Sequence, residues 1–564
     1  MLLQDFPSLR VSVFGVLAAV FAAAACGQPD SKSGEPPVVS ATTSPQIADG
    51  GSPNHQQTGS GGETSSPSRS TGGAPAPVSP NPVAIGGNAS TGGSGGTGGG
   101  QAAGGATSAG GAPPVIPAFG KKNVLFIMAD DMNDWVQPFG GHPQAKTPNI
   151  AKLAAKGLVF RNAYAPVPVC LPSRTAMLLG MRPHDSKQWG NMDVDFRDVP
   201  ELKDRKTLPQ FFKEQGYFSS RAGKIFHTPT NLHPDSWDTE LPKGGTAVPS
   251  DYVSTHGMML TGYAAEGMEW GYTKEDTAHT ADFQSAEFIA AQLTQKQDKP
   301  FFFAYGAHKP HQPWFVPKKY FDLYPEGTIV EPVYKADDLD DIPSPIGGLD
   351  HLEFLRTGST QKGLQAYLAA LSFADECIGH VLDALEKSPH KDNTIIVFMG
   401  DHGWHLGEKG HWGKATLWEE ATRTPLIIYD PSLGVAGETT EPVSLQDIYP
   451  TLVELNGLKV APGVLAGQSL VPLLVNPNNP SHVGWALSSW SNGADALRTQ
   501  RWSLIRHGKA GAYEYELYDM IADELQHTNL AKDAKHAELI RKLSEDIDNI
   551  IATNAPKNQA VYEL

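Results

Sequence analysis

The sequence of 564 residues contains only three cysteines, Cys26, Cys170 and Cys377. Three cysteines cannot cross-link a chain of this length, so a disulfide scaffold is excluded. Basic residues are also few, with 44 Lys+Arg against 61 Asp+Glu, a net charge of −17 and no basic cluster. Because nucleic-acid binding requires clustered Lys and Arg to neutralise phosphates, this composition excludes a nucleic-acid partner. The length allows two or three domains with a sizeable core.

Long apolar runs are scarce, and the longest lies near the N-terminus. Residues 11–25 form an apolar run of about 15 residues, too short to span a bilayer and suited to a signal peptide. The run ends in small residues directly before Cys26, which resembles a bacterial lipoprotein cleavage and lipidation site. We predict a signal peptide over residues 1–25, a lipid on Cys26 and a location in the bacterial cell envelope. The residue after Cys26 is Gly27 rather than Asp, which favours the outer membrane or cell surface; plain secretion and an uncleaved anchor are the alternatives.

Aromatic residues are missing from the segment that follows. Residues 27–117 contain no Phe, Trp or Tyr and consist largely of Gly, Ser, Thr, Pro and Ala. Such a composition cannot bury enough apolar area to offset the entropy lost on ordering. We therefore predict that residues 26–117 are a lipidated cysteine and a disordered tether, and that the lipid is the protein's only contact with the membrane.

From Lys121 onward, apolar runs of strand length alternate with helical patterns. The predicted strands cover residues 123–128, 301–305, 394–399 and 425–429, and the predicted helices 147–157, 207–215, 279–296 and 363–386. This alternation predicts an α/β domain over residues 118–475, with a large doubly wound mixed sheet flanked by helices. After residue 475 the pattern changes to short strands, at 486–489, 502–506 and 514–518, and an amphipathic helix at 537–551. Residues 476–564 are therefore predicted to form a small α+β subdomain with an antiparallel sheet and one helix.

Carboxylates follow two of the predicted strands. Asp130 and Asp131 come directly after the strand at 123–128, and Asp401 and His402 follow the strand at 394–399. Sites in open α/β sheets lie beyond the carboxyl ends of the strands, so these acids are expected to converge. Converging carboxylates repel one another unless a cation lies among them, and Ca²⁺ or Mg²⁺ suits such oxygen ligands. The alternative is that the Asp pair caps a loop.

The segment at 169–180 carries the most specific motif. Cys170, Pro172, Ser173 and Arg174 form the pattern Cys-x-Pro-Ser-Arg. Here the sequence resembles the sulfatase family of the alkaline phosphatase superfamily, whose signature is intact and whose Asp-Asp and Asp-His-Gly segments stand in the family's order. The resemblance extends from residue 123 to the C-terminus. It is strongest to the iduronate-2-sulfatase branch, on residues 223–227, 308–311 and 401–404.

The resemblance implies an unusual nucleophile at position 170. A formylglycine-generating enzyme is expected to oxidise Cys170 before folding, and the hydrated aldehyde then attacks sulfur to form a sulfated enzyme intermediate. A hydrated aldehyde can expel sulfate by re-forming its C=O bond, whereas a sulfated Ser or Cys would need a second attack by water. A helix N-terminus also favours an anion at this position. The alternative for Cys170 is a buried thiol, and Cys377 is interpreted as a core residue.

The resemblance also implies roles for the surrounding residues. The metal ligands are Asp130, Asp131, Asp401 and His402 together with the modified residue 170, and the ion is Ca²⁺ rather than Mg²⁺. Asp401 accepts a proton from the attacking hydroxyl, and Arg174 orients the diol. The remaining catalytic set is Lys224, His227, His308 and Lys414. His311, His405 and His411 are possible substrate-pocket residues outside that set.

The sequence therefore predicts a calcium-dependent sulfuric ester hydrolase with a formylglycine nucleophile, whose substrate is a sulfate monoester on a carbohydrate. Two alternatives remain. The first is a phosphonate or phosphodiester hydrolase of the same superfamily, which can use the same nucleophile and metal geometry. The second is an inactive carbohydrate-binding lipoprotein that keeps only the fold.

Overall fold

A computed structural model describes residues 119–191, 195–227, 234–241, 252–259, 267–343, 349–479, 482, 484–491 and 493–562. The predicted signal peptide, Cys26 and the tether lie outside the described residues, so those three stay predictions, as do the domain boundaries at 118 and 475. Among the described residues, no helix combines the length and the apolar composition needed to cross a membrane.

The element order agrees with the predicted alternation. The strands are β1 (Asn123–Ala129), β2 (Leu158–Phe160), β3 (Ala163–Tyr164), β4 (Phe218–Gly223), β5 (Thr239–Leu241), β6 (Tyr252–Met259), β7 (Gly267–Thr273), β8 (Phe301–Ala307), β9 (Trp314–Pro317), β10 (Thr394–Gly400), β11 (His405–Leu406), β12 (Trp412–Gly413), β13 (Leu426–Tyr429), β14 (Gly437–Thr439), β15 (Val443–Ser444), β16 (Ala486–Trp490), β17 (Ala494–Arg498), β18 (Trp502–His507) and β19 (Glu514–Asp519). The helices are α1 (Pro148–Ala154), α2 (Cys170–Leu179), α3 (Pro183–Ser186), α4 (Leu208–Glu214), α5 (Ala281–Leu293), α6 (Lys318–Phe321), α7 (Leu349–Thr357), α8 (Thr360–Glu386), α9 (Glu419–Thr422), α10 (Ile448–Leu455), α11 (Val471–Val475) and α12 (Ala537–Thr553).

A large mixed sheet forms the centre of the molecule. Its strand order is β14-β2-β13-β10-β1-β8-β4-β5, and the strands from β10 to β5 run parallel. Strand β13 is antiparallel to both of its neighbours, β10 and β2. The predicted mixed α/β sheet is therefore confirmed. The carboxyl ends of β10, β1, β8 and β4 lie side by side along one edge of the sheet.

Helices cover both faces of this sheet, because alternate residues of its central strands are apolar on each face. Leu125 and Ile127 of β1 pack on one side with buried residues of α1, α5 and α8. Val124, Phe126 and Met128 pack on the other side with buried residues of α2, α4 and α10. A strand that is buried on both faces explains why its sequence is a continuous apolar run.

The C-terminal part contains the predicted antiparallel sheet and its covering helix. Strands β16, β17, β18 and β19 pair in sequence order, and α12 packs against them with Leu543, Ile547 and Ile550. Strand β17 was not predicted, because its sequence Ala-Asp-Ala-Leu-Arg is poor in β-branched and aromatic residues. The three-stranded sheet of β6, β7 and β9 was also not predicted.

Candidate active site

Four adjacent parallel strands deliver polar residues to the same edge of the sheet. Asp130 follows β1, Asp401 follows β10, His308 follows β8 and Lys224 follows β4. The ends of β4 and β8 approach closely because Gly223 and Gly306 lack side chains. A Cβ on Gly223 would overlap the backbone of Gly306, and a Cβ on Gly306 would overlap the backbone of Lys224. The convergence expected from the sequence is therefore present, and it includes cations as well as carboxylates.

Cys170 begins helix α2 beside these strand ends. Val169 before it is extended, and Ser173 Oγ donates a hydrogen bond of 2.6 Å to the backbone oxygen of Asp401, which fixes the first turn against the end of β10. The side chain of Cys170 is fully buried. Its Sγ lies 3.3 Å from His402 Nε2 and 3.6 Å from Asp131 Oδ1.

Arg174 ties the first turn of α2 to two of the acids. Its Nε donates to Asp401 Oδ2 and its Nη2 to Asp130 Oδ1, each at 2.9 Å. The guanidinium also donates to the backbone oxygens of Lys224 and Ile225 at 2.6 and 3.0 Å. Arg174 is 1 % exposed, and its hydrogen bonds connect the ends of β1, β10 and β4.

Two lysines pair with the Asp130–Asp131 segment. Lys414 Nζ donates to Asp131 Oδ1 at 2.8 Å and lies 3.1 Å from Cys170 Sγ. Lys224 Nζ forms an ion pair with Asp130 Oδ2. Both predicted lysines thus contact the acid pair, and Lys414 also contacts the predicted nucleophile.

The pKa values of the three carboxylates shift in different directions because their partners differ. Burial raises the pKa of Asp130, but Lys224 and the neighbouring cations outweigh it and hold that pKa well below its usual value. Burial raises the pKa of Asp131 to about 7, and Lys414 only partly opposes it. Burial also raises the pKa of Asp401. A further cation beside Asp131 would therefore favour its ionised form.

Histidines line the remaining side of this cluster. His308 Nδ1 lies 3.7 Å from Asp130 Oδ2, and His402 Nε2 lies 3.2 Å from Asp131 Oδ1. His227 follows β4 in a bend at residues 224–227. Burial and the charge of Lys224 lower the pKa of His227 to about 2, and its buried Nδ1 has no hydrogen-bond partner among the described residues.

The backbone at Asp131 adopts a strained conformation that two hydrogen bonds hold in place. Asp131 has φ of 58°, which non-glycine residues rarely adopt. Its N–H donates to Asp401 Oδ1 at 3.0 Å, and Tyr367 Oη donates to its carbonyl at 2.9 Å. These two bonds on either side of the residue hold the conformation in place.

Oxygen and nitrogen atoms of this cluster are arranged as cation ligands. One ligand atom each from Asp130, Asp131, Cys170 and His402 lies within 4.8 Å of the others, and all four residues are buried. Asp131 Oδ2 is buried without a hydrogen-bond partner among the described residues, so a donor or cation is needed to satisfy it. The donor set therefore fits a divalent cation. Asp401 is outside this group of four, since its oxygens accept from Arg174 and from the backbone of Asp131 and His402.

His311 also belongs to the site, although the sequence left it outside the catalytic set. Its Nε2 lies 3.9 Å from Asp130 Oδ2 and 3.8 Å from Asp131 Oδ2. In the sequence, the indication that His311 belongs to the site is its position three residues after His308. His405 Nε2 lies 2.7 Å from Thr416 Oγ1, and His411 Nε2 lies 3.0 Å from the backbone oxygen of Lys414.

Asp282 supports His308, and no feature of the sequence indicated this. Its carboxylate accepts the backbone N–H groups of His308 and Lys309 at 3.0 and 2.9 Å. Asp282 lies in the first turn of α5, so this helix fixes the end of β8 where His308 emerges.

Replacing Asp282 with alanine is expected to reduce kcat, because His308 loses the bonds that orient its backbone. Loss of two hydrogen bonds to the buried carboxyl group of Asp282 should also lower the free energy of unfolding by about 1–3 kcal/mol. Asp282→Asn, which keeps one acceptor oxygen, should recover part of kcat at unchanged KM. An alanine variant with reduced stability but wild-type kcat would contradict this positioning role.

The hairpin formed by β11 and β12 connects His402 to Lys414, and residues from the C-terminal part anchor it. Lys409 Nζ contacts the backbone oxygen of Gln526 and lies 3.1 Å from Asp338 Oδ1. Just after the hairpin, Trp418 Nε1 donates to Glu516 Oε2 at 2.9 Å. The C-terminal strands thus support the segment that carries Lys414 without contacting Cys170.

The family model described as Sulfatase matches residues 122–458, which is more than half of the chain and includes all of this cluster. This chain belongs to the sulfatase family. A second family model, described as "N-sulphoglucosamine sulphohydrolase, C-terminal", matches residues 407–553. The predicted family and the predicted class of enzyme, a sulfuric ester hydrolase, are confirmed.

Individual sulfatases are similar over most of the chain. A protein named Sulfatase from Formosa agariphila is 36 % identical over 452 residues, covering 77 % of this chain and 87 % of its own length. Human iduronate 2-sulfatase is 31 % identical over 403 residues, covering 60 % of this chain and 70 % of its own length. The resemblance to the iduronate-2-sulfatase branch is therefore supported.

Solved structures share the fold of this sulfatase. A structure in complex with its substrate D-glucosamine-2-N,6-O-disulfate has a TM-score of 0.58 and 21 % identity, covering 78 % of this chain and 98 % of that one. The phosphonate monoester hydrolase of Agrobacterium radiobacter has a TM-score of 0.63 and 18 % identity, covering 78 % and 97 %. At these identities the similarity concerns the fold alone.

Proposed function

We propose that this sulfatase hydrolyses a sulfate monoester on a carbohydrate, with Cys170 converted to formylglycine and Ca²⁺ bound beside it. The observation that carries the proposal is the position of Cys170, fully buried at the start of α2 with Lys414 and His402 in contact with its Sγ. A nucleophile at this position has cationic and imidazole groups within reach and acidic groups behind it.

The conversion of Cys170 supplies what a thiol cannot. A hydrated aldehyde provides one hydroxyl for attack on sulfur and a second hydroxyl whose deprotonation drives release of sulfate as the C=O bond re-forms. The two hydroxyls need separate partners. Lys414 Nζ and His402 Nε2 contact the sulfur of residue 170, and we assign the protons of the two hydroxyls to Asp401 and His227.

The proposed ligands of Ca²⁺ are Asp130, Asp131, Asp401 and His402, together with the modified residue 170. When bound, the ion supplies positive charge that polarises the sulfate group and favours ionisation of the diol. The unpartnered oxygen of Asp131 supports this assignment, and the cluster of buried ligand atoms supports it for Asp130, Asp131, residue 170 and His402. Ca²⁺ accepts carboxylate oxygens in irregular geometry, whereas Mg²⁺ demands a near-ideal octahedron.

The proton transfers are proposed for residues at the strand ends. Asp401 accepts the proton of the attacking hydroxyl, and Arg174 holds Asp401 in place through its 2.9 Å bond. His227, which burial and Lys224 keep neutral, takes the proton of the second hydroxyl. His308 protonates the leaving alkoxide, and Lys224 and Lys414 contact the sulfate oxygens.

A carbohydrate substrate is supported by the relatives. The human relative is named iduronate 2-sulfatase, and one structural neighbour was solved with a disulfated glucosamine. Trp404 and Trp314 are buried and pack edge to face, with 6.2 Å between ring centres, so neither of these two rings presents a face to a sugar.

Mass spectrometry of the peptide that contains residue 170 tests the proposed conversion. The aldehyde form is expected to be about 18 Da lighter than the thiol form, and the fraction converted should scale with turnover of a sulfated sugar. A fully active preparation in which every molecule carries the thiol would refute the proposal.

Relative rates separate this proposal from the phosphonate or phosphodiester alternative. We expect a higher kcat/KM for an aryl sulfate than for an aryl phosphonate or phosphodiester with the same leaving group. The reverse order would favour the alternative, and sugar binding without turnover of any ester would favour an inactive binding protein.

We further propose that a formylglycine-generating enzyme acts on this chain, and that Cys26 carries a lipid that anchors it in the cell envelope. Both proposals are supported by sequence motifs, the intact Cys-x-Pro-Ser-Arg pattern and the small residues before Cys26.

A further inference from the structure

Three ligand atoms around residue 170 have the spacing of a tetrahedral metal site. Cys170 Sγ lies 3.3 Å from His402 Nε2 and 3.6 Å from Asp131 Oδ1, and His402 Nε2 lies 3.2 Å from Asp131 Oδ1. Bonds of about 2.3 Å to sulfur, about 2.05 Å to nitrogen and about 2.0 Å to oxygen at tetrahedral angles give edges of about 3.3–3.6 Å. The measured separations of 3.2–3.6 Å lie within about 0.3 Å of these edges, so the three atoms can surround Zn²⁺ in tetrahedral geometry.

The ligand types match the same ion. A thiolate, an imidazole and a carboxylate are the donors that zinc takes in proteins, whereas calcium takes oxygen. His402 presents the correct nitrogen, because its Nδ1 is 2.8 Å from the carbonyl oxygen of Gly403 and must donate there. This bond leaves Nε2 facing Cys170 and Asp131.

The three proposed ligand residues are shielded from solvent. Cys170 and His402 are fully buried, and Asp131 is 1 % exposed. Asp131 Oδ2, the second oxygen of the same carboxylate, has no hydrogen-bond partner among the described residues. The carboxylate of Asp130 offers a fourth ligand atom, which also lies within 4.8 Å of the other three.

We propose that the chain whose Cys170 is still a thiol binds Zn²⁺ through Cys170, His402 and Asp131. The zinc replaces the thiol proton, and any proton on His402 Nε2, both of which pass to solvent. Conversion of residue 170 to an aldehyde removes the sulfur and with it the zinc preference. The inference does not rest on the proposed function, because it concerns the thiol form alone.

Lys414 is the natural competitor for this ion. Its ammonium donates to Asp131 Oδ1 and contacts Cys170 Sγ, two of the three proposed ligand atoms. Zinc and the ammonium cannot both occupy the space between these atoms, so binding must displace Lys414. Removing that charge is therefore expected to tighten zinc binding, an effect that a nonspecific surface site would not have.

The test uses the full chain purified anaerobically, with the thiol at position 170 verified by mass. Co²⁺ serves as a spectroscopic probe and Zn²⁺ is titrated against a chromophoric chelator. We expect one equivalent of Co²⁺ with a thiolate charge-transfer band and the intense d–d bands of tetrahedral geometry. Cys170→Ser should weaken zinc binding by roughly 100-fold or more, Lys414→Met should strengthen it, and Cys377→Ser, the matched thiol control, should leave it unchanged.

Several results would overturn the inference. In the unsubstituted chain, an octahedral Co²⁺ spectrum without a thiolate band would overturn it. Unchanged zinc affinity in the Cys170→Ser variant would also overturn it. Loss of the thiolate band in Cys377→Ser would move the site to helix α8. A converted sample, with aldehyde at position 170, is expected to lose the band; this holds even if the protein proves to act on another ester.

Discussion

Cys170→Ala is expected to lower kcat/KM for a sulfate ester by a factor of about 10⁴ or more, the scale of loss seen when a nucleophile is removed. Alanine can carry neither a thiol nor a hydrated aldehyde, so no atom remains at the start of α2 to attack sulfur. Cys170 lies in contact with Lys414 and His402, which cannot replace it as the nucleophile. Substrate binding should survive, because the surrounding cations remain.

The matched control is Cys377→Ala, since Cys377 is equally buried but lies in α8 and packs in the core on the other face of the sheet. This variant should keep wild-type kcat and lose only a modest amount of stability. Turnover and equilibrium denaturation of both variants separate chemistry from folding. If both cysteine variants retained full turnover, residue 170 would not be the nucleophile.

Arg174→Met is expected to lower the free energy of unfolding by about 3–5 kcal/mol, because it leaves buried carboxylates without their cation. Arg174 makes 2.9 Å bonds to both Asp130 and Asp401, and neither acid is exposed to solvent. Activity should fall with stability, since Asp401 loses the group that orients it. Arg174→Lys should not restore the protein, because an ammonium cannot span the two carboxylates as a guanidinium does.

Two further variants test the cause of that loss. Arg356→Met removes an arginine from an exposed pair with Glu353 and should leave the unfolding midpoint unchanged. Combining Arg174→Met with Asp401→Asn should cost less stability than the sum of the two single substitutions, because the carboxylate left unpaired has been neutralised. Additive losses would indicate that Arg174 stabilises the protein through packing rather than charge.

The sequence revealed the central strands and the acids that follow them because both depend on local chemistry. Strands β1 and β10 are continuous apolar runs, and Asp130 and Asp401 stand directly after them. The order of the strands does not follow from local patterns. The run at 425–429 predicted strand β13, but only its pairing with β10 reveals that it is antiparallel.

The parts of the site that escaped prediction depend on contacts between distant segments. Asp282 supports His308 from the first turn of α5, and nothing near it in the sequence distinguishes it from an ordinary acid at a helix start. Arg174 was expected to orient the diol, and the structure adds that it bridges two acids. His311 shares a motif with His308, but only the fold shows that its ring faces Asp130.

The hairpin that carries Lys414 has a consequence for the timing of biogenesis. Gln526 and Glu516, which contact Lys409 and Trp418, are translated long after residue 170 has left the ribosome, so these contacts form only near the end of synthesis. The segment that carries Lys414 is therefore completed last, after the other residues around Cys170 have been synthesised.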